Sequence, residues 1–429
     1  MEESSRTPKQ APLSALEEVF HWVTENPYSD FYRRYLGAFL QKPGFPKSVE
    51  EWQVLPFLTK DKIAEVPVWE RTFIPHDEVY TIRYTGGTKK RLFTPRRTFG
   101  KYGKAAALGG ATRMITFFSS LFMSEAERRR AGIMLLTSFV PETHEELMFA
   151  ATLAKLFAVD SLMHLPSLAI DVAPYLAAVG IIDSIKVVEL CGERCSPAQI
   201  EALRRLYPQA VLVQNYSASD WNGTFGESCS HAIKTGLSSF HIDREFFYSE
   251  FINPRTAVSV MPSDVPAELV ITSLTTDQPF PVIRYRTGDL LAIEEAHCPC
   301  GDPTPRFKHM GRVSAEETRL FGGDFSLDFV EEALAASPQV FPEDFEVQYI
   351  EQMTSTGHIK GLRVLILPKA APVDLEALAR SLEGRLHIGK TALYGEGVRQ
   401  GLLLPLEVGI LREPTRTIEG KRIRLTQSQ

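Results

Sequence analysis

The stretch IKVVELCGERCSPAQIEALRRLYPQAVLVQNYSASD (185–220) reads as strand, turn, helix, strand and turn. IKVVEL (185–190) and AVLVQNY (210–216) are short apolar runs, and 197–206 sets apolar residues at helical spacing between them. The same alternation begins upstream, with GIMLLTSFV (132–140) followed by a helix-like 144–157. It predicts an α/β fold whose sheet is mostly parallel and covered by helices. Downstream, ELVITSL (268–274) and PVIRYRTGDL (281–290) read as strands that carry polar residues to one edge. The segment 13–40 is helical up to the Asn26-Pro27 break. Beyond Gly311-Arg312 a helix near 327–336, strands near 345–350 and 361–367, a helix near 374–386 and a strand near 402–411 suggest a small α+β unit. The expected division is a large domain over 1–311 and a small one over 312–429.

The whole chain is consistent with that reading. Its 429 residues are enough for two or three domains with a large core, and 44% hydrophobic with 23% charged residues is an ordinary globular balance. A formal net charge of −6 argues against a general binder of nucleic acid or anionic membrane, so a small molecule is the expected partner. The opening residues lack the basic-then-apolar pattern of a secretory signal, and the apolar stretches around 147–182 are interrupted by Lys155, Asp160 and Asp171. The five cysteines are too few for a disulfide scaffold, which makes a reducing cytoplasm the expected setting. No fixed-period repeat occurs.

Five segments carry chemistry-bearing residues. Thr85, Gly86, Gly87 and Thr88, followed by Lys89, Lys90 and Arg91, combine freed backbone N–H groups, hydroxyls and cations that suit a polyphosphate. Tyr216, Ser219 and Asp220 follow the second apolar run, where open α/β sheets collect ligands, and a hydroxyl beside a carboxylate suits a phosphate with Mg²⁺. Asp289 follows a Gly turn in RYRTGDL and suits the paired hydroxyls of a ribose. Arg312 and Lys421 complete the set. Taken singly, each segment reads as readily as a solvated turn or tail.

Their order and spacing resemble the adenylate-forming superfamily, and within it the phenylacetate–CoA ligase branch. YSDFYRRYL, LPFLTK (55–60), LCGERCS (190–196), ELVITSLTTDQPFPVIRYRTGDL and CPCG followed by GR carry the resemblance, which covers nearly the whole chain. The resemblance implies a large adenylation domain that binds ATP and an acid, with a mobile C-terminal lid that brings in Lys421. Thr85, Gly86, Gly87 and Thr88 would form the phosphate loop, and Gly192, Glu193 and Arg194 would border the adenine. Tyr216 would lie near the adenine, Ser219 and Asp220 would face the phosphates and Mg²⁺, Asp289 would take the ribose hydroxyls, Arg312 would reach the ribose or phosphate, and Lys421 would bridge carboxylate and α-phosphate. Thr88, Asp220 and Lys421 are the expected catalytic residues, because joining two anions requires their charge to be neutralised.

The resemblance further implies an aromatic or arylalkanoic acid, with Phe139, Pro141 and His144 as candidate pocket residues, and coenzyme A as the acceptor thiol. A carrier protein, reductase or amine is the alternative acceptor, and a binding homologue with impaired turnover is a further reading. Neither nucleic acid nor membrane is an expected partner, and a homodimer is one option for the assembly. Three departures bear on turnover. Lys90 and Leu92 stand where the phosphate loop usually has Gly and Pro, Asp220 replaces the expected Glu, and Val313-Ser314-Ala315 replaces the acidic hinge. Finally, Cys229, Cys298 and Cys300 with either His231 or His241 suit tetrahedral zinc of a structural kind. The resemblance favours His241; His297 and His309 are nearby alternatives that read more readily as ordinary turn residues.

Overall fold

The computed structural model describes residues 13–40, 45–79, 81–84, 93–96, 114–116, 133–136, 141, 143–218, 220–221, 223–235, 238–276, 278–313, 318–320, 323–325, 327–354, 357–370, 372–388, 392–412, 414–415 and 425–427. They fall into two compact units, one of 1–194 with 207–310 and the other of 195–206 with 311–429.

The first unit is built on a sheet of eleven strands among the described residues. Its parallel part runs from Ile133–Leu136 through Met114–Thr116, Ser161–His164 and Val187–Cys191 to Val211–Ala218. These strands are joined through helices, including His144–Leu156 and Pro166–Ala178. Thr143 caps the first of these in a reciprocal box with Glu146, which satisfies amide groups the first turn leaves open. From Val211–Ala218 the sheet continues through Gly223–Glu227, Ser239–Ile242, Arg306–Arg312, Tyr285–Glu295 and Ala267–Ser273 to Phe247–Ile252. This half includes antiparallel pairs, so the expectation of a mostly parallel sheet holds only for the half before Ala218. Short loops between consecutive strands permit hairpins, whereas parallel pairing needs a crossover helix.

The helical segment expected over 13–40 comprises three helices, Leu13–Glu25, Phe31–Tyr35 and Gly37–Leu40; the first ends just before the Asn26-Pro27 break and buries Leu16, Val19, Phe20 and Val23. This segment is fastened to RYRTGDL. The Tyr32 hydroxyl donates to Pro281 O at 2.8 Å and accepts from Ile283 N at 3.0 Å. LPFLTK lies alongside as well, because Leu58 N donates to Arg284 O at 3.0 Å and Arg286 N donates to Leu58 O at 2.9 Å. Arg284 is fully buried against Glu250, with its guanidinium 4.2 Å from the Phe57 ring centroid. The strand within 281–290 starts at Tyr285, and the residues before it form the turn that receives these contacts.

The second unit has a four-stranded sheet in the order Glu407–Ile410, Gly357–Pro368, Val340–Thr354 and Leu425–Gln427. The helices Leu327–Ala335 and Leu375–Glu383 contribute Val330, Leu334, Leu378 and Leu382 to a core with Phe345, Val347, Leu362, Val364 and Ile366. The helix Pro197–Leu206 counts with this unit, its Ala198 N donating to Glu331 Oε1 at 3.2 Å. No helix among the described residues is long and apolar enough to cross a membrane.

Candidate functional site

Tyr216 and Asp289 lie 73 positions apart in sequence and meet in the structure. Gly288, at φ +72°, turns the chain so that Asp289 N donates to Thr287 Oγ1 at 3.0 Å, and that hydroxyl donates to Leu269 O at 2.9 Å. The buried Asp289 carboxylate accepts from the Tyr216 hydroxyl on Oδ2, and His309 Nε2 lies 3.3 Å from Oδ1. Tyr216 stacks on Phe240, centroids 5.1 Å apart, and its ring is 5.7 Å from that of His309. Arg194 Nε donates to His309 O at 3.1 Å. His309 therefore joins Arg194, Tyr216 and Asp289 into one group. By sequence His309 reads as a turn residue, but it sits in the strand Arg306–Arg312, and only strand pairing reveals its neighbours.

Asp220 is buried beside this group's strands. Its Oδ2 accepts from the Tyr285 hydroxyl at 2.9 Å, while Oδ1 is buried without a hydrogen-bond partner among the described residues. An acceptor oxygen left in that state fits a cation. Gly192, at φ +79°, makes the sharp turn after Val187–Cys191 that a residue with a Cβ disfavours. The next side chain, Glu193, accepts from Ser167 Oγ at 2.8 Å and Ser167 N at 3.4 Å. Ser167 opens the helix Pro166–Ala178, whose N-terminus favours a carboxylate, so this side chain braces the turn against that helix.

Arg312 ends its strand and is exposed, Pro141 is buried, and His144 is exposed with Nδ1 3.0 Å from the Tyr175 hydroxyl. Thr85, Gly86, Gly87, Thr88, Phe139, Ser219 and Lys421 lie outside the described residues.

Cys229, His241, Cys298 and Cys300 converge at a second place, their ligand atoms all within 4.8 Å of one another. Cys229 Sγ and Cys298 Sγ are 3.6 Å apart, and Cys300 Sγ is 3.3 Å from His241 Nε2. A tetrahedral zinc would set such pairs about 3.8 and 3.6 Å apart. His241 Nδ1 faces Thr304 Oγ1 at 3.0 Å and Pro305 O at 3.2 Å, which places a proton on Nδ1 and leaves Nε2 as the ligand atom. Burial holds His241 below its ordinary range, hence neutral. Burial pushes the Cys300 thiol up to about 11, with the Cys298 and Cys229 sulfurs adding to the rise. Against the upward pull of burial, the Ala232 amide and the neighbouring thiols hold Cys229 below its ordinary range. Ala232 N and Asp302 N each donate to a sulfur, Cys229 and Cys300 respectively, at 3.4 Å. These donors suit a set of thiolates around a metal. His231 stands outside the cluster, 4.0 Å from Glu295.

No family model matches the sequence, and no curated protein is similar to it. Solved structures do share its fold. A 2-hydroxyisobutyryl-CoA ligase in the postadenylation state, in complex with R3-HIB-AMP, aligns over 97% of this chain and 89% of its own at 16% identity and a TM-score of 0.74. The anthranilate CoA ligase AuaEII in complex with anthranoyl-AMP aligns over 84% and 69%, at 12% identity and a TM-score of 0.56. The O-succinylbenzoate coenzyme A synthetase MenE from Bacillus subtilis, in complex with ATP and magnesium, aligns over 80% and 68%, at 15% identity and a TM-score of 0.52. Helix-covered sheets in a large unit with a smaller sheet unit beside them in sequence are thus, by fold, the architecture of the adenylate-forming CoA ligases.

Proposed function

We propose that this chain activates a carboxylic acid with ATP and passes the acyl group to a thiol, that of coenzyme A. In the first step a carboxylate oxygen bonds to the α-phosphorus and the bond to the departing pyrophosphate breaks. In the second, the thiol sulfur bonds to the acyl carbon and AMP leaves. The observation that carries this reading is the Arg194–Tyr216–Asp289–His309 group, assembled from distant segments in a fold shared with proteins solved with acyl-AMP or ATP.

Within this reading, Asp289 accepts the ribose hydroxyls, in exchange for the Tyr216 and His309 contacts that hold it ready. Tyr216 presents its ring to the adenine beside the Gly192 turn. Asp220, fixed through one oxygen by Tyr285, turns the other to Mg²⁺, which screens the phosphates when bound. Thr85, Gly86, Gly87, Thr88 and Ser219 hold the phosphates, Arg312 serves the ribose or phosphate, and Lys421 neutralises charge between carboxylate and α-phosphate. Pro141, Phe139 and His144 border an aromatic acid. Zinc at Cys229, His241, Cys298 and Cys300 is structural, since four protein ligands leave no position for a reacting water.

Pyrophosphate exchange into ATP over a panel of aryl and alkyl acids, with and without coenzyme A, tests the reading. Acid-dependent exchange and coenzyme A-dependent thioester are expected, and Lys421→Ala should lower exchange on the order of 10²-fold or more with its unfolding transition retained. Absence of exchange with every acid refutes it.

A further inference from the structure

A two-stranded hairpin stands apart from the large sheet. Thr81–Tyr84 pairs antiparallel with Phe93–Arg96, Tyr84 opposite Phe93, and the two form a sheet of their own. Residues 85–92, which join them and carry Thr85, Gly86, Gly87 and Thr88, lie outside the described residues. Two strands alone are marginally stable in water, so the placement of this pair depends on what it packs against. The short helical turn Val68–Arg71 lies against the strand Phe93–Arg96, and Arg71 Nη2 donates to Phe93 O. Arg71 Nε donates to Val66 O at 3.0 Å, and the guanidinium carbon lies 5.3 Å from the Phe280 ring centroid. Close by, Phe73 N donates to Pro279 O at 2.7 Å. Arg71 thus fastens the neck of the hairpin to the turn that leads into RYRTGDL.

What sets Arg71 apart is its charge. The residue is 2% exposed, and no carboxylate among the described residues lies within ion-pair distance of it. Arg284, equally buried, is matched by Glu250. Arg71 Nη1 is buried without a hydrogen-bond partner among the described residues. Burial pushes the guanidinium down to about 10, which leaves it charged at neutral pH. Buried charges are ordinarily paired, because leaving water is costly, and a ring face with two carbonyls offsets only part of that cost. A neutral amide such as that of glutamine would meet a carbonyl as well, so the hydrogen bonds do not explain the cation. The interior screens poorly, so the field of this charge reaches the hairpin beside it. An anion arriving there supplies the missing counter-charge.

Resting on the reading of the chain as an acid-activating ligase, we propose that Arg71 is a positioning residue for the polyphosphate of the nucleotide. Its guanidinium holds the hairpin that leads into and out of residues 85–92, and its unmatched charge draws phosphate toward that hairpin. Arg71 acts through the hairpin and through space; it does not itself touch the phosphates. The triphosphate of ATP before the reaction and free pyrophosphate after it are the anions of this class, and a fixed cation placed beforehand favours both. The acid carries a single carboxylate elsewhere in the site and does not depend on Arg71.

The test is pyrophosphate exchange by the full chain, with the KM values for ATP, pyrophosphate and the acid measured separately. In Arg71→Met, KM for ATP and for pyrophosphate should each rise by about tenfold or more, while KM for the acid stays within about threefold. A merely structural role would not single out the two polyphosphates. Arg71→Gln, which keeps a donor without the charge, should behave like Arg71→Met. Arg71→Lys, which keeps the charge, should hold all three constants within about threefold of the parent. Where Arg71→Met does not fold, the Gln and Lys pair carries the same comparison. Unchanged polyphosphate constants, a rise shared by the acid, a lysine variant no better than glutamine, or variants that only unfold overturn the inference alone and leave Arg71 a structural brace. Exchange with no acid in the parent overturns both the inference and the reading it rests on.

Discussion

Arg284→Met tests how RYRTGDL is held in place. The Arg284 Nε atom donates to both Glu250 carboxylate oxygens at 3.2 and 3.1 Å, and Nη2 donates to Oε1 at 2.9 Å. Nη1 donates to the carbonyls of Gln53 and Leu55, and both side chains of the pair are almost wholly buried. Methionine keeps much of the volume and removes every one of these donors. Breaking a buried ion pair by deleting one partner destabilises by about 3–5 kcal/mol, and two carbonyls left without donors add about 1 kcal/mol or more each. A loss of this order is a large share of the 5–15 kcal/mol that stabilises a typical domain. Burial already raises the Glu250 carboxyl, and Arg284 is what opposes that rise. Without the guanidinium, folded Glu250 holds a proton that the unfolded chain releases at lower pH, so the deficit should grow as pH rises above the ordinary carboxylate range. Trp52 and Trp221 are buried in the same core, so urea unfolding followed by tryptophan fluorescence reports this transition. Adding Glu250→Gln to Arg284→Met removes the uncompensated charge and should recover about 2 kcal/mol. A loss below about 1 kcal/mol for Arg284→Met, or a double variant no more stable than the single one, would refute the reasoning.

Asp289→Ala should weaken ATP binding by about 1–3 kcal/mol in titration calorimetry, and unchanged affinity would remove Asp289 from the ribose site. Protein purified without added metal should contain close to one zinc per chain by elemental analysis, and Cys298→Ser should lose the metal and melt at a lower temperature; metal-free protein whose Cys298→Ser variant melts like the parent would leave the four residues as packing. For Glu189, whose carboxyl rises from 4.5 to about 8 on folding, the folded state binds the extra proton between those values, so its stabilising contribution falls as pH rises through that window. Glu189→Gln should therefore gain stability over the parent between pH 5 and 8, on the order of 1–4 kcal/mol by calorimetric melting, and a pH-independent difference would contradict the assignment.

Local patterning by itself determined much of the architecture. Apolar runs and helical spacing over 185–220 located two strands and the helix between them, because both periodicities are properties of neighbouring residues. Helices at 144–156 and 327–335 were legible for the same reason, as was the ligand chemistry of three cysteines with a histidine. Strand partners were not legible. That the sheet turns antiparallel after Ala218, that Val340–Thr354 and Gly357–Pro368 extend well beyond their apolar centres, and that Tyr285 reaches Asp220 all depend on register between distant segments. His309 illustrates the limit, since nothing around it in RFKHMGR marks it as the neighbour of Asp289, twenty positions earlier. Glu189 does so from the other direction: in IKVVEL it reads as a polar residue ending an apolar run, and only the parallel strands on either side bury it. A residue's periodicity assigns it to a face, but what lies across from it on that face is decided by tertiary pairing, and it is that pairing which decides whether a carboxylate is solvated, matched to a donor or left to bind something else.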